Sequence, residues 1–122
     1  MALIADQALD AALSYIGTNC ENLYICSTEP TTFAQASSTY KLGVKATPSI
    51  GTPENGTSGR KIVVAAITDG TVSATGTAGF VALTDDSASL LLAVKELSAT
   101  QAVTSGNTFT LTEFDITIPD PA

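Results

Sequence analysis

The side chains best able to do chemistry in this sequence are two thiols, Cys20 and Cys26, and twelve Asp and Glu carboxylates. Neither set is spaced for catalysis. There is no histidine, so the commonest general base and the commonest metal ligand are missing, and a Ser or Cys nucleophile would need another activator. The C-x5-C spacing matches neither the paired C-x2-C of a zinc ribbon nor a redox motif. In an extended run, six steps at ~3.3 Å place the two Cα atoms about 20 Å apart, beyond the roughly 7 Å limit of a disulfide, so only a tight turn lets them bond each other. They read as reduced thiols, buried as small apolar groups or, for one of them, exposed and reactive. Asp69-Gly70 and Asp85-Asp86 are acidic clusters at expected turns. Without the D-x-D-x-D-G pattern of a calcium loop they suit turn chemistry rather than ion binding. Nothing selects two of the twelve carboxylates as a glycosidase pair, and the scattered glycines form no phosphate cradle. The expectation is a protein that is not an enzyme, with no catalytic residues, no cofactor and no metal.

The elements that would position such groups read as mainly β. Hydrophobic residues make up 44% and charged residues 14% of the chain, and the remainder is rich in Thr, Ser and Gly, which favours strands and turns over polar helices. Leu9, Ala12, Leu13 and Ile16 follow the i, i+3, i+4, i+7 rhythm of an amphipathic helix over residues 6–16, with Asp6 as N-cap and Gly17 as its stop. Leu23-Tyr24-Ile25-Cys26 reads as the first strand. From Lys61 the pattern sharpens: Lys61–Thr68 and Thr71–Leu83 flank Asp69-Gly70, a two-residue hairpin signature that predicts pairing with i + j = 139. Leu90–Val94 is apolar on both faces, as in a central strand. A turn is expected at Ser105-Gly106-Asn107. The change of apolar phase from Phe109 and Leu111 to Phe114, Ile116 and Ile118 predicts a β-bulge near Thr112-Glu113. Pro119-Asp120-Pro121 ends pairing. The fold expected is an antiparallel β-sandwich or barrel-like module with one short N-terminal helix, a single domain over residues 1–122 whose β core spans 61–118.

Residues 28–60 stand apart. Three prolines, four glycines and scattered apolar anchors read as a long arm or irregular loop, with a brief strand at Tyr40–Lys45. Unstructured connections beyond about 12–15 residues are uncommon in compact domains unless they are functional or disordered. Net charge is −7, yet Lys41, Lys45, Arg60 and Lys61 lie together with only Glu54 against them, so positions 41–61 carry +3 and the rest −10. The overall balance argues against nucleic acid, which needs clustered Lys and Arg. The local balance suits an arm that lays Phe33, Tyr40, Leu42 and Val44 into grooves on a neighbour while Lys41 and Lys45 pair with acidic groups at the rim. No apolar stretch is long enough for a membrane span, and the opening residues are too short and too soon interrupted by Asp6 for a signal peptide, so residence in a cytoplasm is expected. The sequon Asn55-Gly56-Thr57 then carries little weight.

The opening Met1–Leu13, the Cys26–Thr31 stretch, the Gly59–Thr84 region and the Ala102–Ile116 close together resemble small structural proteins of tailed bacteriophages. The likeness is one of texture and order of segments over nearly the whole chain. It implies a virion protein made in the host cytoplasm, of the head decoration or cement type or of the neck or collar type. Its partners would be the major capsid protein or neck and tail subunits, and it would work as a homo-oligomer. A decoration protein clamping neighbouring shell subunits suits the low charge density and the arm. A neck, collar or tail attachment is the alternative within the particle. A carbohydrate-binding receptor module is the alternative outside that class, weakened by the absence of Trp and the presence of only Tyr15, Tyr24 and Tyr40.

Overall fold

A computed structural model describes residues 5–56 and 59–118. Expectations resting on Met1–Ile4, on Thr57 of the sequon and on Pro119–Pro121 lie outside those residues. The chain is mainly β: a six-stranded antiparallel half-barrel, a small three-stranded sheet and one N-terminal helix.

Helix α1, Asp6–Asn19, buries Leu9 and Leu13 and lies against the small sheet. Asp6 is its first residue rather than its cap, which is Ala5, and Asp6 stands in the first turn where the helix dipole favours an acid. Gly17 does not stop the helix. Its bare Cα faces Ile50, whose Cγ2 would lie 3.5 Å from any Cβ there, and the last turn closes through Cys20 N–H to Ile16 O at 2.9 Å.

The half-barrel contains β1 (Asn22–Cys26), β2 (Lys41–Ala46), β5 (Ile67–Val72), β6 (Gly76–Asp85), β7 (Leu90–Val103) and β8 (Thr108–Leu111), in the order β7-β6-β1-β2-β5-β8. The small sheet is β3 (Glu54–Asn55), β4 (Arg60–Val64) and β9 (Phe114–Ile118), in the order β3-β4-β9. Its side chains plug the concave face: Val64, Phe114 and Ile116 join Leu23, Ile25, Leu42, Val81, Leu83 and Phe109 in one core.

The expected Asp69-Gly70 hairpin is not formed. Asp69 and Gly70 lie inside β5, which pairs with β2 (Val44↔Thr71) and β8 (Gly70↔Phe109), while β4 belongs to the other sheet. The pair sits at a break in register, between Ile67 and Gly70, and the glycines with positive φ are Gly59 and Gly106, not Gly70. A glycine is needed at 70 for space, because the Phe109 ring lies over its Cα where a Cβ would be. The turn at Gly106 is as expected, with φ near 90°.

Three further expectations change. Leu90–Val94 opens β7, which is the outer strand of its sheet and not a central one. The phase change at Thr112-Glu113 is a passage from β8 in one sheet to β9 in the other, not a bulge within one strand. Within residues 28–60, Lys41–Ala46 is an interior strand held between β1 and β5 rather than part of a free arm. Gln35–Thr39 form a π-helical turn whose Ala36 packs with Tyr24, Cys26 and Ala82, so this segment covers the second face of the sheet.

Candidate interaction surface

Of the six residues expected to dock on a neighbour, five lie at Tyr40–Lys45, on β2 and the residue before it, and their side chains go to both faces of the sheet. Leu42 is 6% exposed and its carbonyl accepts Ser73 N–H at 2.8 Å, so it belongs to the chain's own core. Tyr40 and Val44 pack around Tyr24 and Cys26 on the other face. Lys41 Nζ sits 5.7 Å above the Tyr24 ring, a cation–π arrangement. Lys45 Nζ pairs with Asp69 at 3.1 Å. Phe33 is half-buried and joins neither apolar cluster.

The basic window is also spent internally. The Arg60 guanidinium donates to both carboxylate oxygens of Asp10, at 2.7 and 3.2 Å, and to Asn55 Oδ1 at 2.6 Å, tying the helix to β4. This bidentate grip holds the guanidinium pKa above its usual value. Lys61 lies 3.4 Å from Asp115 and 3.7 Å from Glu54. The +3 of the sequence window is therefore largely neutralised by acids folded against it.

Carboxylates gather at the β6–β7 turn. Tyr24 and Thr84 each donate a hydroxyl to Asp86 at 2.6 Å, Ser87 N–H donates to Glu21 Oε1 at 2.6 Å, and Asp85 accepts Ala88 N–H at 3.4 Å. The facing Glu21 carboxylate, and then burial, raise the Asp85 pKa; hydrogen bonds, first from the Ser87 backbone, lower that of Glu21. The interaction therefore pushes the two carboxyl pKa values apart, Asp85 taking up a proton more readily than Glu21 as pH falls. A raised Asp85 contributes stability when protonated and loses it as pH rises through its folded pKa. A lowered Glu21 contributes stability above its ordinary range and loses it as pH falls through its folded pKa. Asp85→Asn keeps an acceptor for Ala88 N–H and supplies a permanent donor toward Glu21. Its thermal midpoint should exceed wild type at neutral pH, with the advantage shrinking in mild acid; a lower midpoint at neutral pH would contradict the raised Asp85 pKa.

Both thiols are free. Burial pushes each pKa up to about 11, and the sulfurs donate to carbonyls, Cys20 to Asn22 at 3.4 Å and Cys26 to Ala36 at 3.7 Å. A thiol so raised is a poor nucleophile at neutral pH.

The open surface lies where the half-barrel fails to close. Strands β7 and β8 are its two edges and do not pair with each other. Across the gap run side chains: Gln101 Nε2 donates to Thr110 O at 3.1 Å, and Lys95 Nζ, 5.9 Å above the Phe114 ring, donates to Asp115 O at 2.7 Å. Between these two bridges is a cleft of about 430 Å³ with Val81, Leu97, Leu111 and Phe114 among its lining and Glu96 and Glu113 beside them. A second hollow, about 250 Å³, continues past Gln101 between residues 101–104 and 107–110. The cleft exists because β7 bulges: Phe80 pairs with Glu96 and Ala78 with Gln101, so four residues, Leu97–Thr100, stand opposite Gly79 alone.

Sequence reasoning passed over Leu97 and Gln101 and read Phe114 only as part of the final strand. The phase change at Thr112-Glu113 was the available signal, since a chain that leaves one sheet for another leaves an edge behind. Comparison of the chain with protein-family models, with curated proteins and with solved structures finds no match.

Proposed function

We propose that this chain is a non-enzymatic structural protein of a tailed-phage virion, a decoration protein that binds and stabilises neighbouring shell subunits. The resemblance in segment order supports the reading, and one structural observation carries it: the outer edge of β7. This strand is 14 residues long, it opens with five apolar residues, and its far side has no strand partner among the described residues. Leu90 is 39% exposed and Leu91–Val94 are only partly buried. Edge strands that stay in water are usually blunted by charge or proline. Here the first five residues of β7, 90–94, contain neither, and its charges, Lys95 and Glu96, come only after them, so the opening of the strand has a composition suited to a cover by a neighbour.

The electrostatics support protein rather than phosphate as partner. Lys45, Arg60 and Lys61 sit in ion pairs, Lys95 is bound to a carbonyl, and the net charge is −7. Assembly as a homo-oligomer on the particle fits a module that must meet a symmetric shell. Quantitative mass spectrometry of purified particles tests the proposal. Hundreds of copies per particle are expected; about a dozen would move the protein to the neck, collar or tail, and absence from particles would end the virion reading.

A further inference from the structure

We propose that the cleft between β7 and the β8–β9 link takes one extended segment of a neighbouring subunit, apolar at alternate positions and basic between them. The identification of the host molecule as a virion subunit rests on the function proposed above; the chemistry of the segment rests on the cleft alone.

The two walls are main chain without ladder partners. Leu97–Thr100 are skipped in the pairing with β6, and Thr112-Glu113 belong to neither sheet. Backbone groups that a ladder passes over are the ones an added strand can pair with. The bridges at Lys95–Asp115 and Gln101–Thr110 mark the ends of the cleft. Lys95 and Gln101 pair with Val81 and Ala78, which are three steps apart on β6, so the two bridges stand about 10 Å apart along the sheet, room for roughly three residues of extended chain. Gln101 closes one end: its Nε2 is bonded to Thr110 O, and its Oε1 is buried without a donor among the described residues.

The side chains select the occupant. Val81, Leu97, Leu111 and Phe114 offer apolar surface to every second residue of a strand. Glu96 and Glu113 are exposed at the cleft, and no ion pair holds either among the described residues. Asp115 shares Lys61 with Glu54, and Lys95 is turned onto a carbonyl and an aromatic face. The cleft is therefore apolar within and negative around, complementary to a Val/Lys alternation rather than to an acidic one.

The test uses the full chain and two capped probe peptides, Val-Lys-Val-Lys-Val and Val-Glu-Val-Glu-Val. Amide NMR and hydrogen exchange should show the basic peptide shifting and protecting residues 97–100 and 112–113 and the Gln101 side chain. The acidic peptide should bind at least about tenfold more weakly. Glu96→Lys with Glu113→Lys should reverse the preference, and Leu97→Asp should abolish both, in variants whose remaining spectrum is native. If the double variant does not fold, each single change should narrow the preference. Equal binding of the two peptides, no perturbation, or perturbation centred elsewhere would overturn the proposal. So would a concentration-dependent dimer of the chain that Leu97→Asp dissolves, since the occupant would then be a second copy. The chain's absence from particles would leave this result standing, and failure of the peptides would leave the particle count standing.

Discussion

Replacing Gly70 with valine should cost about 3 kcal/mol or more and lower the thermal midpoint by roughly 10 °C or beyond, because it drives a side chain into a ring that has nowhere to go. Phe109 is 2% exposed and lies between two glycines on neighbouring strands. A Cβ at Gly70 would overlap the ring, and one at Gly43 would sit 3.2 Å from Cδ1 and Cε1. Asparagine separates this cause from a turn requirement. In a tight turn with positive φ, Gly70→Asn is tolerated; under an aromatic ring it fails as valine does. Phe109→Ala alone should cost about 3–5 kcal/mol, and Gly70→Ala should be far less harmful in that background, since the new methyl enters the vacated space. Wild-type stability of Gly70→Asn by calorimetry would refute the packing account.

Deleting residues 31–58 should abolish cooperative folding. The deletion takes out β2, which stands between β1 and β5. Without it β5 and β8 lose their attachment to the sheet, Leu42 leaves the core, and the backbone groups of β1 and β5 that faced β2 are orphaned. Against a typical net stability of about 5–15 kcal/mol, losing an interior strand exceeds what the domain can absorb. A native-like amide spectrum from the deleted chain would show that residues 28–60 are a separable arm after all.

The sequence is legible where local pattern and fold agree. The stripe of Leu9, Leu13 and Ile16 gives the helix, the Leu23–Cys26 run gives β1, and Gly106 gives its turn. It misleads where a residue has two physical uses. Asp-Gly is a hairpin signal because glycine accepts positive φ, yet Gly70 is there because it lacks a Cβ, and no local rule distinguishes the two without Phe109, 39 positions later in the chain. Lys41–Ala46 reads weakly because a glycine stands inside so short a run, and Gly43 is bare because the Thr71 carbonyl oxygen lies 2.5 Å from where a Cβ would be, with the Phe109 ring at 3.2 Å. The Leu90–Val94 run has the composition of a covered strand and the position of an outer one. That mismatch within one chain is resolved if the cover comes from another. Charge was misread for a simpler reason: a sum over positions 41–61 does not register that Asp10, Asp69 and Asp115 fold back onto it.

The central claim is that the unclosed side of the half-barrel meets a neighbour in an assembled particle. Hydrogen exchange of the chain within purified particles, set against the free chain in the same buffer, tests it most directly. The account predicts slowed exchange along β7, residues 90–103, and along 108–113, with α1 and the π-helical turn unchanged. Equal exchange along β7 in both states, with new protection confined to α1 or to residues 28–40, would contradict it.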